Sequence, residues 1–301
     1  MAGESTGEIL KSLAVNVIIA AAKGVAAVLT GSGAMLAETL HSFADCGNQL
    51  LLLKGVRATR RPPDRAHPFG YGRAMYFYSF IVALLLFFGG GMFSIYEGVH
   101  KLGQPEPVED TGIAMIILLV SIALEGWSTL GNIKMMNRRR GDTRFIRYLR
   151  ETKDSDLIVV FGENSAAVLG LVFAIAALGL AHETGDARWD AIGSIAIGGV
   201  LVLVATFLAR EVKSLLVGEA ADPALIRSFE ELAELDPNVD RVLNVLTLQQ
   251  GPGEIIVAAK LQFRPGLDTD ALVEAINAFE RALKAKVPEV RWSFIEPDNT
   301  D

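Results

Sequence analysis

The chain has 301 residues, of which 51% are hydrophobic and only 21% are charged, and its mean hydropathy is +0.36. This composition excludes an ordinary soluble domain for most of the chain, and the net charge of −7 argues against a nucleic-acid partner. With one cysteine, Cys46, an intrachain disulfide is also excluded.

Six apolar segments are long enough to cross a hydrocarbon core, which takes roughly 20 residues. They are, in chain order, about Ile9–Leu29, Gly33–Leu53, Met75–Tyr96, Gly112–Leu130, Leu157–Leu180 and Ala191–Leu208. The second and fifth segments carry ionisable groups. The third contains three consecutive glycines, Gly89–Gly91, which predict close helix packing, with a hinge as the alternative.

The loops between these segments differ in charge, and the difference predicts the orientation. The loops after the second and fourth segments are basic, whereas the loop after the third is acidic, with Glu106, Glu109 and Asp110. The basic residues are Arg57, Arg60, Arg61, Arg65 and Arg73 in the first loop, and Arg138, Arg139, Arg140, Arg144, Arg147, Arg150 and Lys153 in the second. The positive-inside rule places both basic loops, and with six spans both termini, in the cytoplasm. No cleavable signal or transit peptide is recognised, so a bacterial inner membrane is expected.

From about Gly218 the chain reads as a small soluble domain, with 16 acidic and 8 basic residues. Asp222 and Pro223 predict a helix start, and Gly251–Gly253 predicts a hairpin between two apolar runs. A second helix opens at Asp268 or Thr269, and Val290–Ile295 predicts a last strand. The order αββαβ indicates an α+β domain at 218–301, after a helical membrane domain at 1–217.

The second apolar segment contains two metal-ligating side chains, His41 and Asp45. They are four residues apart, so a helix presents them on one face. Ionisable groups in a membrane segment are costly and usually face a cavity, a partner or a substrate path. An imidazole and a carboxylate together are half of a first-row metal site.

The fifth apolar segment is interrupted by Glu163 and Asn164. Counting residues from the ends of the two segments places Asp45 and Glu163 at similar depths, at 1.5 Å rise per residue. We therefore expect His41, Asp45 and Glu163 to converge near mid-membrane on a divalent ion such as Zn²⁺, Mn²⁺, Fe²⁺ or Co²⁺. The alternative is a buried carboxylate that is protonated or paired with a base, although no lysine or arginine is expected at this depth.

The segment LHSFADCGNQLLLLKG, followed by RPPDRAHPFGYGR, and the terminal FIEPD resemble the cation diffusion facilitator family, closest to its mitochondrial zinc-transporter branch. The resemblance implies a homodimeric metal/proton antiporter with six membrane helices and a ferredoxin-like cytoplasmic domain. The family's transport site maps onto His41, Asp45 and Glu163. The positions four residues either side of Glu163 are Val159 and Ala167, so Asn164, Asn48 or water would complete the coordination.

The resemblance also implies a second site in the basic loop, at Asp64 and His67. Tyr71 stands where the family has a third ligand, so the alternative is a cluster that orders the loop. The C-terminal domain has no histidine or cysteine, and a zinc site there is not expected; its apolar face around Leu272, Ile276 and Phe279 is expected to hold two copies together.

These observations predict a transporter and not an enzyme. We expect export of a divalent transition metal, Zn²⁺ first, from the cytoplasm in exchange for protons, with no prosthetic group. His41 is the expected proton carrier, because an unperturbed imidazole has a pKa of about 6.5. The alternatives are transport mainly of Mn²⁺, Fe²⁺ or Co²⁺, or a membrane metal sensor that does not transport. An intramembrane hydrolase has little support, since no HExxH motif is present.

Overall fold

Residues 2–104, 108, 111–151 and 155–300 are described by the structure, a computed structural model. Glu106, Glu109 and Asp110 of the predicted acidic loop, and Lys153 of the second basic loop, lie outside the described residues. The chain divides into two compact units. The first contains Met1–Arg57, Phe77–Leu149 and Ser155–Val212, and the second contains Ala58–Tyr76 and Lys213–Asp301.

The first unit is helical. Its helices are α1 (Ala2–Thr30), α2 (Gly33–Thr59), α3 (Ala74–Leu85), a π-helical turn (Leu86–Met92), α4 (Phe93–Gly103), α5 (Thr111–Arg139), α6 (Phe145–Glu151), α7 (Ser155–Thr184) and α8 (Arg188–Val217). Each predicted apolar segment lies in this helical series. An apolar helix suits a membrane because it satisfies its own backbone hydrogen bonds.

Four helical stretches of the described residues are long and apolar enough to cross a membrane. They are Ala74–Gly103, Thr111–Arg139, Leu157–Thr184 and Arg188–Val217. In α1 the described apolar stretch is shorter, Asn16–Thr30. Helix α2 is long enough to cross a membrane but is less apolar than these four stretches. Its apolar sequence is interrupted by Glu38, His41, Asp45 and Lys54. The protein is therefore a membrane protein whose second helix is unusually polar.

The start of α2 is fixed by two caps. Helix α1 ends before Gly31, which has φ 63°, and Ser32 Oγ accepts a hydrogen bond from Met35 N at 3.1 Å. The buried carboxylate of Asp190, in the first turn of α8, accepts from Gly33 N at 2.6 Å and from Ala34 N at 3.2 Å. A carboxylate at a helix N-terminus satisfies free amides and complements the helix dipole. This contact fixes the start of α2 to the start of α8.

The three consecutive glycines lie in the π-helical turn, and two of them, Gly90 and Gly91, pack against α8. A Cβ added at Gly91 would come within 2.7 Å of the Val202 side chain, and one added at Gly198 within 2.7 Å of Gly91 O. The predicted close packing is confirmed, because these glycines let two helix backbones approach.

The second unit contains the predicted αββαβ order. Its elements are α9 (Pro223–Leu235), β1 (Val239–Gly251), β2 (Glu254–Phe263), α10 (Thr269–Lys286) and β3 (Val290–Pro297). In the described sheet β2 is central, antiparallel to β1 and parallel to β3. Asp222 caps α9 through Ala224 N, and Asp268 caps α10 through Ala271 N.

The core of this unit forms where α9 and α10 cover one face of the sheet. Phe229 and Phe279 meet edge to face with ring centroids 5.1 Å apart, over Val257 and Leu261 of β2. The expectation that Phe279 belongs to a face between two copies is wrong. Its ring is 1% exposed and is used within one chain, where the second helix needs it to close the core.

Candidate transport site

The polar side chains of α2 form one face of the helix. Glu38, His41, Ser42, Asp45 and Asn48 follow one another at three- or four-residue spacing. Residues at this spacing lie one above another on a helix. Four of the five are buried, with Glu38 and Asn48 at 0% exposure, and Asp45 keeps 18% of its side chain exposed. A buried polar stripe of this kind needs partners, because unpaired polar groups are costly away from water.

His41 and Asp45 leave their lone pairs unused. His41 Nδ1 lies 3.6 Å from Asp45 Oδ1, which is beyond ordinary hydrogen-bond distance. Both ring nitrogens of His41 and Oδ1 of Asp45 are buried, and none has a hydrogen-bond partner among the described residues. Native structures contain few such atoms, so a group of them in one place requires an explanation. An imidazole nitrogen and a carboxylate oxygen are also the donors that a divalent transition metal takes.

Glu163 approaches this face from α7. Asn48 Nδ2 donates to Glu163 Oε1 at 2.6 Å, and the charges of Asp45 and Glu163 interact. Asn48 Oδ1 is itself buried and without a partner among the described residues. The second and fifth apolar segments are therefore in contact, through Asn48 of α2 and Glu163 of α7. No group of three or more His, Cys, Asp or Glu is gathered for a metal ion in the described part of the chain, so His41, Asp45 and Glu163 do not form one three-residue cluster there.

The two candidate amides face different helices. Asn48 is hydrogen-bonded to Glu163, whereas Asn164 Nδ2 donates to Ser128 Oγ of α5 at 3.4 Å. The backbone carbonyl of Asn164 also accepts from Thr129 Oγ1 at 3.4 Å. This follows from the 100° between successive residues of a helix, which turns Asn164 away from the side chain of Glu163.

The basic loop of the second unit contains a separate cluster, formed by Asp64, His67 and Tyr71. Asp64 Oδ1 accepts from the amides of Ala66 and His67 at 2.9 and 2.7 Å, and Oδ2 accepts from the Tyr71 hydroxyl at 2.6 Å. The His67 and Tyr71 rings lie 4.2 Å apart. The hydrogen bond from Tyr71, with those from the backbone, lowers the pKa of Asp64, and the same bond raises the pKa of Tyr71. Both carboxylate oxygens are thus already used.

This loop is held to the C-terminal sheet. Phe69 meets Trp292 and Phe294 of β3 edge to face, with centroid distances of 5.6 and 6.3 Å. Gly72 packs on the β1–β2 turn so closely that a Cβ added at Gly251 would lie 2.7 Å from the Cα of Gly72. The motif HPFGYGR therefore builds a loop that is docked by an aromatic ring and a pair of glycines.

Comparison with known proteins decides the family. A model of the cation efflux transmembrane domain matches residues 9–217, which is more than half of the chain. The chain belongs to the cation diffusion facilitator family. The human mitochondrial proton-coupled zinc antiporter SLC30A9 is 30% identical over 95% of this chain and 51% of its own length.

Other family members match over comparable stretches. Metal tolerance protein C4 of Arabidopsis thaliana is 33% identical over 78% of this chain and 52% of its own length. A probable cation efflux system protein of Mycobacterium tuberculosis is 25% identical over 97% of this chain and 84% of its own length. The chain spans about half the length of the human and plant relatives.

For this member of the family, sequence reasoning missed three charged residues near the site. Lys23 of α1 is fully buried and lies 3.1 Å from Glu38, and Glu125 of α5 interacts electrostatically with Asp45 and His41. The expectation that no lysine lies at this depth is wrong. The signal was present in Glu38, three residues before His41 on the same face, and in a lysine within an apolar segment, which requires an acidic partner.

Proposed function

We propose that this chain is a secondary transporter that exports a divalent transition-metal cation from the cytoplasm in exchange for protons, with Zn²⁺ as the main substrate. One observation carries the proposal. The His41 ring nitrogens and Asp45 Oδ1 are buried in a membrane-type helix without hydrogen-bond partners among the described residues, and Asn48, on the same face of that helix, donates to Glu163 of α7. Buried unpaired donors of this type are expected where a cation binds and leaves.

The chemistry of the group favours a transition metal. One imidazole, two carboxylates and an amide oxygen suit Zn²⁺, Mn²⁺, Fe²⁺ and Co²⁺, and the imidazole favours the softer of these. His41, Asp45 and Glu163 would be ligands, and either Asn48 or Asn164 would complete the set. Asn48 is the better placed of the two, because its free Oδ1 is buried beside Glu163. Zn²⁺ is favoured because the human relative is a proton-coupled zinc antiporter.

Proton exchange follows from the ligands themselves. An imidazole nitrogen or a carboxylate oxygen binds either a proton or a metal ion, so binding of one releases the other. Because neither His41 ring nitrogen has a hydrogen-bond partner among the described residues, either one can carry the lone pair for which a proton and a metal ion compete. Alternating exposure of the group to the two sides of the membrane would then couple proton entry to metal exit.

The proposal includes an assembly and an orientation. Six membrane helices in residues 1–217 would place both termini in the cytoplasm of a bacterial inner membrane, and residues 218–301 would form a ferredoxin-like domain. The basic loops between α2 and α3 and after α5 support this orientation. The functional unit would be a homodimer, as the family resemblance implies.

Counter-flow in proteoliposomes tests the proposal. Purified protein is reconstituted, and uptake of Zn²⁺, Mn²⁺, Fe²⁺ and Co²⁺ is compared with and without an opposing pH gradient. We expect Zn²⁺ to move fastest and the gradient to accelerate it. Binding without flux for all four ions would favour the metal sensor and overturn transport, whereas preference for Mn²⁺, Fe²⁺ or Co²⁺ would change the substrate alone.

A further inference from the structure

A lysine and a glutamate form a buried ion pair beside the proposed transport site. Lys23 Nζ of α1 lies 3.1 Å from Glu38 Oε2 and donates to Ser42 Oγ at 2.9 Å. Lys23 and Glu38 are each 0% exposed. Burying two charges is costly, and such a pair is often no more stable than apolar side chains of the same size. A role beyond stability is therefore worth seeking.

The pair lies on the same face of α2 as the proposed ligands. Glu38 is one turn before His41, and Ser42 is the residue after His41. Lys23 acts electrostatically on His41, Asp45 and Glu125. One turn of helix is about 5.4 Å, so a cation held by His41 would lie within reach of a free Glu38 carboxylate.

Glu38 also has a carboxylate oxygen that could bind a cation. Its Oε1 is buried and has no hydrogen-bond partner among the described residues. It faces α7 at Gly170, where an added Cβ would overlap it, and Gly170 is two turns beyond Glu163 on that helix. Glu38 therefore lies in the α2–α7 interface that holds Asn48 and Glu163. Its other oxygen is occupied by the Lys23 ammonium.

We propose that Lys23 determines metal specificity by keeping Glu38 out of the ligand set. This inference rests on the proposed function. With Glu38 neutralised by Lys23, Asp45 and Glu163 supply two negative charges for a divalent ion, and His41 supplies a softer nitrogen. Without Lys23, Glu38 becomes a third carboxylate ligand, and a site richer in carboxylates favours harder ions such as Mn²⁺. Lys23 thus acts through Glu38 and touches no cation.

Cation affinities of four proteins test this role. Full-length wild type, Lys23→Met, Lys23→Arg and the double variant Lys23→Met/Glu38→Gln are titrated in detergent with Zn²⁺ and with Mn²⁺. We expect the Kd for Mn²⁺ to fall in Lys23→Met, because an added carboxylate ligand strengthens binding of a harder ion, and the Kd for Zn²⁺ to fall less. The change should be roughly tenfold, the size of effect, though not the direction, known for groups around metal ligands. Lys23→Arg keeps the charge and should retain the wild-type ratio of the two affinities.

The double variant separates specificity from structure. It replaces a neutral pair by two neutral side chains, so the proposal expects wild-type affinities for both metals. The proposal is overturned if Lys23→Met leaves both affinities unchanged, or if the double variant behaves like Lys23→Met. Should Lys23→Met not fold, loss of Zn²⁺ binding in the double variant would make Glu38 a ligand in the wild type and would also overturn it.

Flux of the wild type is measured on the same preparation. Wild-type binding without flux would remove the proposed transport, while the affinity ratios would still decide the role of Lys23. Absence of cation binding by the wild type would overturn both.

Discussion

The two polar clusters of this protein contain similar residues and use them in opposite ways. In the helical unit, His41 and Asp45 are four residues apart and leave buried ring nitrogens and a carboxylate oxygen without partners among the described residues. In the loop, Asp64 and His67 are three residues apart, half-exposed, and both Asp64 oxygens accept hydrogen bonds. A histidine and an aspartate at short spacing therefore do not by themselves indicate a metal site; the proposed site rests on the atoms that the fold leaves unpaired.

The same chemical change in each cluster should give the largest contrast. Asp45→Asn removes the charge of a proposed ligand from the helical group, so Zn²⁺ flux in proteoliposomes should fall roughly 100-fold or more. Asp64→Asn is the matched control in the loop, and its flux should stay within about twofold, because a solvent-exposed charged contact contributes little.

The comparison is valid only if both variants, Asp45→Asn and Asp64→Asn, are folded. Both variants should elute as the wild type does and should have its far-ultraviolet circular dichroism. Wild-type flux in folded Asp45→Asn would contradict the proposed helical site. Loss of flux in folded Asp64→Asn would show that the loop is needed for transport.

Two asparagines test the ligand assignment within the helical unit. Asn48→Ala removes the hydrogen bond to Glu163 and a buried amide oxygen, so the KM for Zn²⁺ should rise roughly tenfold. Asn164→Ala is the control, because its side chain contacts Ser128 and not Glu163. If Asn164→Ala has the larger effect on KM, the ligand assignment between the two amides must be reversed.

How far the sequence predicts this site depends on the kind of contact. The four-residue spacing of His41 and Asp45 and the polar break at Glu163 predict which helices meet, because helix periodicity fixes a shared face. The choice of Asn48 over Asn164 as the contact of Glu163 depends on the rotation of α7, which packing against α5 sets. Lys23 was missed since its partner lies on another helix, and pairing between helices is not local.

In the C-terminal unit, too, local features could be predicted from the sequence and contacts between distant residues could not. Capping residues Asp222 and Asp268 and the glycines at 251–253 predict the start of α9, the start of α10 and the hairpin, all of which are local signals. The prediction for Phe279 was wrong, because an apolar helix face has the same sequence pattern whether it covers its own sheet or another chain. Docking of Phe69 on β3 could not be predicted, since it joins residues more than 200 positions apart.

The loop should respond to pH only at the extremes. Asp64 has a folded pKa below its unfolded value of about 3.9, so its contribution to loop order is present above that pH and is lost as pH falls through the folded pKa. Tyr71 has a folded pKa above its unfolded value of about 10, so its contribution is present below that pH and is lost as pH rises through the folded pKa.

Hydrogen-exchange protection of the Ala66 and His67 amides measures this order. Protection factors should be constant between about pH 4 and pH 10, and Tyr71→Phe should lower them by about two- to fivefold, as for an exposed charged contact. A rise in protection on adding Zn²⁺ at neutral pH would contradict the ordering role and assign a cation to Asp64 and His67.

The smallest effect on transport is expected where the loop meets the sheet. Phe69→Ala removes edge-to-face contacts with Trp292 and Phe294, which are worth about 0.5–1.5 kcal/mol beyond buried area. Trp292 should become more accessible to a fluorescence quencher, while the KM for Zn²⁺ stays within about twofold, because the ring holds the loop and no ligand of the helical site. Leu246→Ala is the control: it removes a 65% exposed side chain on β1 and should leave loop protection unchanged. A KM change in Phe69→Ala as large as that in Asn48→Ala would mean that docking of the loop affects cation affinity. Both clusters would then contribute to transport.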